Sequence, residues 1–329
     1  MEEDAMEYRQ LGKWGAKVSC LGLGSYLTIG MSCDEETSRA MIRAAYDAGI
    51  NYFDTANAYN CGEAERVLGK ILSDFPRSSL FVLTKVFAPM GEGPNDRGLS
   101  AKHIREQCDA SLKRLQMDYV DVYMCHRPDP SVPLEETIRA MEDLARAGKI
   151  IYWGVSEWPA TLMIEANALA RELGARPIAV SQPRYNLLYR YPERVLFPTT
   201  AAQGIGNVVF SPLAHGMLTG KYKPGEPAPA GTRAADDRLN AVIMSMYWTE
   251  DNKRKAQEFA EIARDFGVNA AEMAIAWCLR NPNVSSVILG TRSVEQLQQN
   301  LRALSVKLTD DVVAHIETIF PPPPVAPTI

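Results

Sequence analysis

The stretch 119-YVDVYMCHRPDPSVPLEETIRAMEDLARAGKIIYWGV-155 contains one whole unit of the architecture. Tyr119 to Cys125 is a short apolar run of strand type, and Ile150 to Val155 is another. Between them Leu134, Ile138, Met141 and Ala145 recur at helical spacing until Gly148 stops the pattern. Strand, helix, strand in so few residues implies a parallel pair joined by a crossover. Working outward, the same order repeats. Val18 to Leu23, Asn51 to Asp54, Leu80 to Lys85, Pro177 to Ser181, Asn207 to Phe210 and Val284 to Leu289 are also strand-like, bringing the number to eight. The intervening helices include one with Ile104, Cys108, Leu112 and Leu115 on its apolar face, and one opened by a Ser293–Gln296 capping box.

The 329 residues would accommodate two average domains or one large barrel. No linker rich in Pro, Gly or Ser splits the chain, and eight βα units suit a single (β/α)8 barrel spanning residues 1–329. A dinucleotide-binding open sheet would need G-x-G-x-x-G. Gly22 and Gly24 are followed by Leu27 where the third glycine should stand, and Gly204 and Gly206 by Val209. Three pieces lie outside the repeat. Glu7 to Leu11 and Lys17 to Cys20 read as an N-terminal hairpin about a Gly12 to Gly15 turn, closing the N-terminal mouth. Lys221 to Met246 reads as a long polar loop after the seventh strand, and residues 309–320 as a last helix with Val312, Val313, Ile316 and Ile319 on its apolar side, followed by a Pro-rich tail over 321–329.

Composition narrows the function. A 46% hydrophobic, 23% charged chain is ordinary for a globular protein, and 35 basic against 40 acidic residues gives no global attraction to nucleic acid or an anionic membrane. No apolar run is long enough to span a bilayer, and MEEDAMEYRQ lacks the basic start and apolar stretch of a signal peptide. Six scattered cysteines without a C-x-x-C pair read as reduced thiols, so a cytoplasmic location is expected. The four histidines are never paired in one short segment, and no metal site is expected.

In a barrel of this class the active site forms where the strands end. Asp54, Lys85, Ser156, Gln182 and Ser211 end strands, Tyr59 and His126 follow them, and Gly290, Thr291 and Arg292 follow the last. Taken singly, Asp54 and Lys85 would read as an ion pair and His126 as a loop residue. Their convergence with Tyr59 suggests proton delivery to an oxygen. A phenol needs a nearby cation to release its proton near neutrality, which Lys85 could supply, with Asp54 orienting it and His126 donating a hydrogen bond to the same oxygen. No Ser or Cys is arranged with a base for nucleophilic hydrolysis. Lys221, Arg233 and the helix start beside Arg292 suggest anion binding.

These residues resemble the aldo-keto reductases. GLGSYLTIG, FDTANAYNCGEAERVLGK, LTKVF, YVDVYMCHRPDP, YWGVSEW, SQPRYN, FSPLAHGMLTGKY and VILGTRSVEQLQQN carry the resemblance along nearly the whole chain. D-T-A-x-x-Y followed by G-x-A-E-x-x-L-G is its most specific part. RGLSAKHI, EETIRAM and AIAWCLRNPNVSSVILG are most similar to the branch holding the potassium-channel β subunits and their bacterial relatives. The resemblance implies reduction of aldehydes or ketones with NADP(H) and a tetrad of Asp54, Tyr59, Lys85 and His126, Tyr59 being the general acid. It implies that Ser156 and Gln182 hold the nicotinamide carboxamide and Phe210 stacks on the ring. Ser211, Pro212, Leu213, Ala214, Gly216 and Lys221 would meet the pyrophosphate; Arg233, Gly290, Arg292, Gln296, Gln299 and Asn300 the adenosine end; Ser25, Tyr26 and Asp54 complete the cofactor-binding set. It also implies a small carbonyl substrate, tetramers or larger rings, and, as an alternative, a redox-sensing auxiliary subunit of a channel. The animal channel subunits carry Asn where this chain has His126, which favours a working reductase. Tyr26, Phe87, Trp158, Tyr185 and Met244 to Trp248 are expected to wall the substrate pocket, and Glu157 has no assigned role.

Overall fold

The computed structural model describes residues 6–324. A two-stranded antiparallel hairpin comes first, β1 (Tyr8–Gln10) and β2 (Lys17–Ser19). Eight parallel strands then close into a barrel: β3 (Leu21–Gly24), β4 (Tyr52–Asp54), β5 (Phe81–Val86), β6 (Val120–Cys125), β7 (Ile150–Ser156), β8 (Val180–Gln182), β9 (Gly206–Val209) and β10 (Val284–Leu289), the last pairing with β3. Around it lie α1 (Glu35–Asp47), α2 (Glu63–Leu72), α3 (Ala101–Leu115), α4 (Leu134–Arg146), α5 (Ala160–Glu172) and α6 (Leu196–Gln203). Three helices separate β9 from β10: α7 (Ala241–Met246), α8 (Glu250–Asp265) and α9 (Ala270–Leu279). After β10 come α10 (Val294–Leu301) and α11 (Asp310–Ile319).

The expected barrel is present, with corrections in detail. The run Val18 to Leu23 is divided between two sheets at Cys20. The Cys20 N–H donates to Glu7 O at 2.8 Å, while its carbonyl accepts Val287 N–H at 2.8 Å, so this residue hands the chain from hairpin to barrel. The sixth barrel strand begins at Val180 rather than Pro177, which has no N–H to give a ladder. The stretch Lys221 to Met246 is not wholly loop, since its last six residues form α7. Ser293 caps α10 by accepting the Gln296 N–H, but the Gln296 side-chain oxygen Oε1 takes the Arg292 N–H at 3.0 Å, so the reciprocal half of the expected box is absent. Residues 1–5 and 325–329, where the acidic start and most of the tail were read, lie outside the described residues.

Two apolar cores follow from the closure. The larger lies between strands and helices. The smaller fills the barrel with Tyr52, Leu83, Val122, Met124, Val180, Val208 and Ile288, and the hairpin adds Leu11 and Val18 to it from the N-terminal end. The G-x-A-E-x-x-L-G motif has a packing explanation. A Cβ on Gly69 would stand 2.3 Å from Leu115 O, so this glycine lets α2 lie against the end of α3. Glu65 is fully buried and accepts from Arg114 Nε at 2.6 Å and from the Thr84 hydroxyl. Removing one partner of such a pair leaves a charge stranded in the core. Arg114→Leu is expected to cost about 3–5 kcal/mol, read as a lowered urea midpoint, whereas the double variant with Glu65→Leu recovers most of the loss.

Candidate functional site

Each central side chain is delivered by the end of a barrel strand. β4 stops at Asp54, β5 carries Lys85 in its last turn of pleat, and β6 hands over to His126. Lys85 has no exposed surface and Asp54 is 4% exposed. The Lys85 ammonium donates to Asp54 Oδ1 at 2.6 Å, to Thr55 O at 2.8 Å and to Tyr59 Oη at 3.4 Å, filling its three donor positions. Burial draws Lys85 down from its ordinary pKa, against which Asp54 acts in the opposite sense. Asp54 Oδ2 accepts from Gln182 Nε2 at 2.7 Å and from Tyr52 Oη at 3.3 Å. Tyr52 was not singled out in the sequence, although period 2 puts it on the same strand face as Asp54. Its ring occupies the space a side chain on Gly22 would fill, since a Cβ there would come within 2.1 Å of Tyr52 Cδ1.

Tyr59 lies with its ring 5.7 Å from that of His126 and 4.9 Å from that of Tyr26. Burial, reinforced by the Asp54 carboxylate, pushes the Tyr59 phenol well above its usual range, so it stays protonated at neutral pH. Burial, then the positive charges of Lys85 and Arg127, hold His126 well below its usual range. The imidazole is therefore neutral, with one N–H to donate. The four expected catalytic side chains are thus brought together, and Asp54, Tyr59 and His126 open on one cleft of 680 Å³.

That cleft continues to the far side of the mouth. Tyr26, Ser156, Gln182, Phe210, Ser211, Pro212, Leu213, Gly216, Lys221, Arg233, Gly290, Arg292, Gln296, Gln299 and Asn300 all line it. Ser25 and Ala214 are buried and do not. Of the expected pocket walls, Tyr26 and Met246 line it, but Tyr185 is core, stacked on Trp277 at 5.0 Å, Trp158 is buried and Phe87 packs against the core. Residues the sequence reading passed over also line the cleft, Arg127, Arg184 and His215, and so does Glu157, which it left without a role. Glu157 acquires a role, its Oε1 accepting the Arg184 backbone N–H at 2.7 Å.

Lys221, Arg233 and Arg292 have no carboxylate within ion-pair distance among the described residues; Arg233 instead donates to His215 Nδ1 at 3.1 Å and Arg292 to Gly231 O at 2.9 Å. Arginine can only donate, so His215 Nδ1 accepts, and its Nε2–H is left to donate to Ser211 Oγ at 3.1 Å. Burial and the charges of Arg233 and Arg184 push His215 down to about 3, consistent with that neutral form. Burial in the wall, then repulsion from Arg292 and Arg233, draw Lys221 down to about 8. Ser211, Ala214 and His215 have left-handed backbones, which turn the loop beside these cations. Three mutually repelling cations on one wall are suited to an anion.

Among the described residues no helix is long and apolar enough to cross a membrane, and no group of three or more His, Cys, Asp or Glu could hold a metal ion. A (β/α)8 barrel with a buried Lys–Asp pair beneath a tyrosine and a histidine defines the class, and comparison with known sequences agrees. The pattern of the Aldo/keto reductase family matches residues 20–320, so the chain belongs to that family. It is 44% identical over 320 residues to a "Probable voltage-gated potassium channel subunit beta" of Oryza sativa subsp. japonica, covering 95% of this chain and 96% of the relative. It is 42% identical over 327 residues to a protein of the same description from Arabidopsis thaliana, covering 98% and 99%.

An anion bound by this trio must find Lys221 protonated. The affinity for sulfate, whose own charge is constant over this range, is therefore expected to be level below about pH 7 and to fall as pH rises through about 8. Calorimetric titration across pH checks this, and Lys221→Met should bind more weakly with that pH step removed.

Proposed function

We propose that the cleft binds NADP(H) and that the protein reduces aldehydes or ketones with Tyr59 as the general acid. The observation that carries this reading is that one cleft joins a protonated tyrosine, seated on a buried lysine, to three cations without a carboxylate partner among the described residues. The residues suit the cofactor. Lys221, Arg233 and Arg292 would meet its phosphates, Phe210 would stack on the nicotinamide, and Ser156 and Gln182 offer polar groups for the carboxamide. When bound, NADPH supplies a hydride to the carbonyl carbon.

The chain's own residues supply the rest. A carbonyl oxygen placed between Tyr59 Oη and the His126 imidazole gains two hydrogen bonds as charge develops on it. Tyr59 gives up its proton to that oxygen, and the phenolate left behind faces the Lys85 ammonium at 3.4 Å. Asp54 keeps Lys85 charged, while Tyr52 and Gln182 fix the other carboxylate oxygen. Neutral His126 adds a hydrogen-bond donor without becoming an imidazolium acid that would compete with Tyr59 to deliver the proton.

A second reading joins the relatives' descriptions, an auxiliary subunit of a potassium channel, to the redox sensing that the sequence resemblance implies. The two separate on rate, since a working reductase turns over a small aldehyde at about 1 per second or faster. Tyr59→Phe is expected to lower aldehyde reduction at least ~100-fold while leaving NADPH affinity within a few-fold, measured by absorbance and by fluorescence titration. Substantial residual turnover would remove Tyr59 as the acid. If Arg233 and Arg292 meet a 2′-phosphate, Ala at both should weaken NADPH on the order of 100-fold more than NADH. Equal weakening of the two would refute that assignment.

A further inference from the structure

Five cationic side chains line the cleft, Arg127, Arg184, Lys221, Arg233 and Arg292, against two carboxylates, Asp54 and Glu157. This is the reverse of the whole chain, whose net charge is −5. Asp54 is matched by Lys85. Lys221, Arg233 and Arg292 have phosphates to meet in the reading above. The Arg184 guanidinium lies over the Tyr189 ring, 3.7 Å from its centroid, and its NH1 donates to Met246 Sδ at 2.8 Å. Arg127 is left over.

The Arg127 guanidinium is pinned through one nitrogen. NH1 donates to His126 O and to Ser156 Oγ at 3.3 Å, and Ser156 Oγ in turn donates to Gln182 O at 3.0 Å. It therefore spans the ends of β6 and β7, next to the imidazole that would contact the reacting oxygen. Its Nε and NH2 have no hydrogen-bond partner among the described residues, and the residue is exposed. Those two nitrogens form the edge of a guanidinium whose N–H bonds run parallel, the geometry that matches both oxygens of a carboxylate. After burial, which dominates at both sites, the Arg127 charge also reaches Tyr59 and His126 and lowers each. The cation thus belongs to the reacting end of the cleft.

We propose that Arg127 binds a carboxylate carried by the substrate, so that the site selects short oxo acids, with the aldehyde or ketone a few bonds from the acid group. This rests on the reductase reading and adds a substrate class to it. Neutral carbonyl compounds would enter the same cleft without engaging the free edge of Arg127.

The test compares two aldehydes of one shape, 4-oxobutanoate and its uncharged isostere 4-methylpentanal, with wild type, Arg127→Met and Arg127→Lys. Wild type is expected to favour the acid in kcat/KM, with a KM for the acid that rises with salt and one for the isostere that does not. Arg127→Met should cut kcat/KM for the acid about 10- to 100-fold more than for the isostere, and Arg127→Lys, which keeps the charge but loses the parallel edge, should fall between. Equal losses on both aldehydes, or no wild-type preference for the acid, would overturn the proposal. Should wild type reduce neither aldehyde, the reductase reading fails separately. Calorimetric titration with 4-hydroxybutanoate then decides the anion site by itself: binding lost in Arg127→Met supports it, and binding absent or unchanged overturns it.

Discussion

A lysine with no exposed surface sits at the centre of the barrel mouth, and its tolerance there depends on one contact, the 2.6 Å ion pair of Lys85 with Asp54. A buried ammonium without a counter-charge would shed its proton, and a buried carboxylate without one would gain a proton. Either change would remove the charge that faces Tyr59. The requirement spreads through the fold. Asp54 must not turn, so Gln182 on β8 and Tyr52 on the same strand hold its second oxygen. Tyr52 needs room for its ring, so β3 carries Gly22. A demand that begins at one nitrogen thus reaches three strands and helps to choose a residue that touches no charge at all.

Backbone strain gathers at the same end of the barrel. Seven non-glycine residues there have left-handed backbones, Leu27, Asn60, Cys61, Glu157, Ser211, Ala214 and His215, while an eighth, Gln116, ends α3. Each such residue costs on the order of 1 kcal/mol or more. A closed sheet of eight strands has no free edge and little freedom to relax, and can hold its loops in such conformations. The loops then present backbone and side chains at angles that regular structure does not provide, which is why His215 can bridge Ser211 and Arg233.

Much of this was legible in the sequence because periodicity and strand ends are local signals. The βα alternation gave the barrel, and polar residues stopping apolar strands gave Asp54, Lys85, His126, Ser156 and Gln182. The distal cations were legible as a group, although the absence of carboxylates around them is a tertiary fact. What escaped detection depended on direction in space. Trp158 and Tyr185 have the composition of pocket walls, yet their rings turn into the core. Arg127 follows His126 in a loop and reads as solvated, until its lack of an acidic partner can be seen. Cys20 escaped because a residue whose N–H serves one sheet and whose carbonyl serves another leaves no mark on hydrophobic pattern.

The N-terminal hairpin and the last strand of the barrel hold each other in place. Arg9 donates to the carbonyls of Leu279 and Val284 at 2.9 Å each, Ser285 donates to Gln10 O, and Leu11 and Val18 pack against Ile288 and Val208 inside the barrel. The hairpin is therefore secured by segments that lie some 270 residues further along the chain. Until β10 exists, β3 lacks one neighbour and the hairpin lacks much of its seat, and contacts separated by some 270 residues in sequence must form together. Half a barrel has two raw edges and an open floor. The growing chain must keep its early strands from pairing elsewhere during synthesis, and once the barrel closes, the hairpin, β3 and β10 hold one another at a single seam.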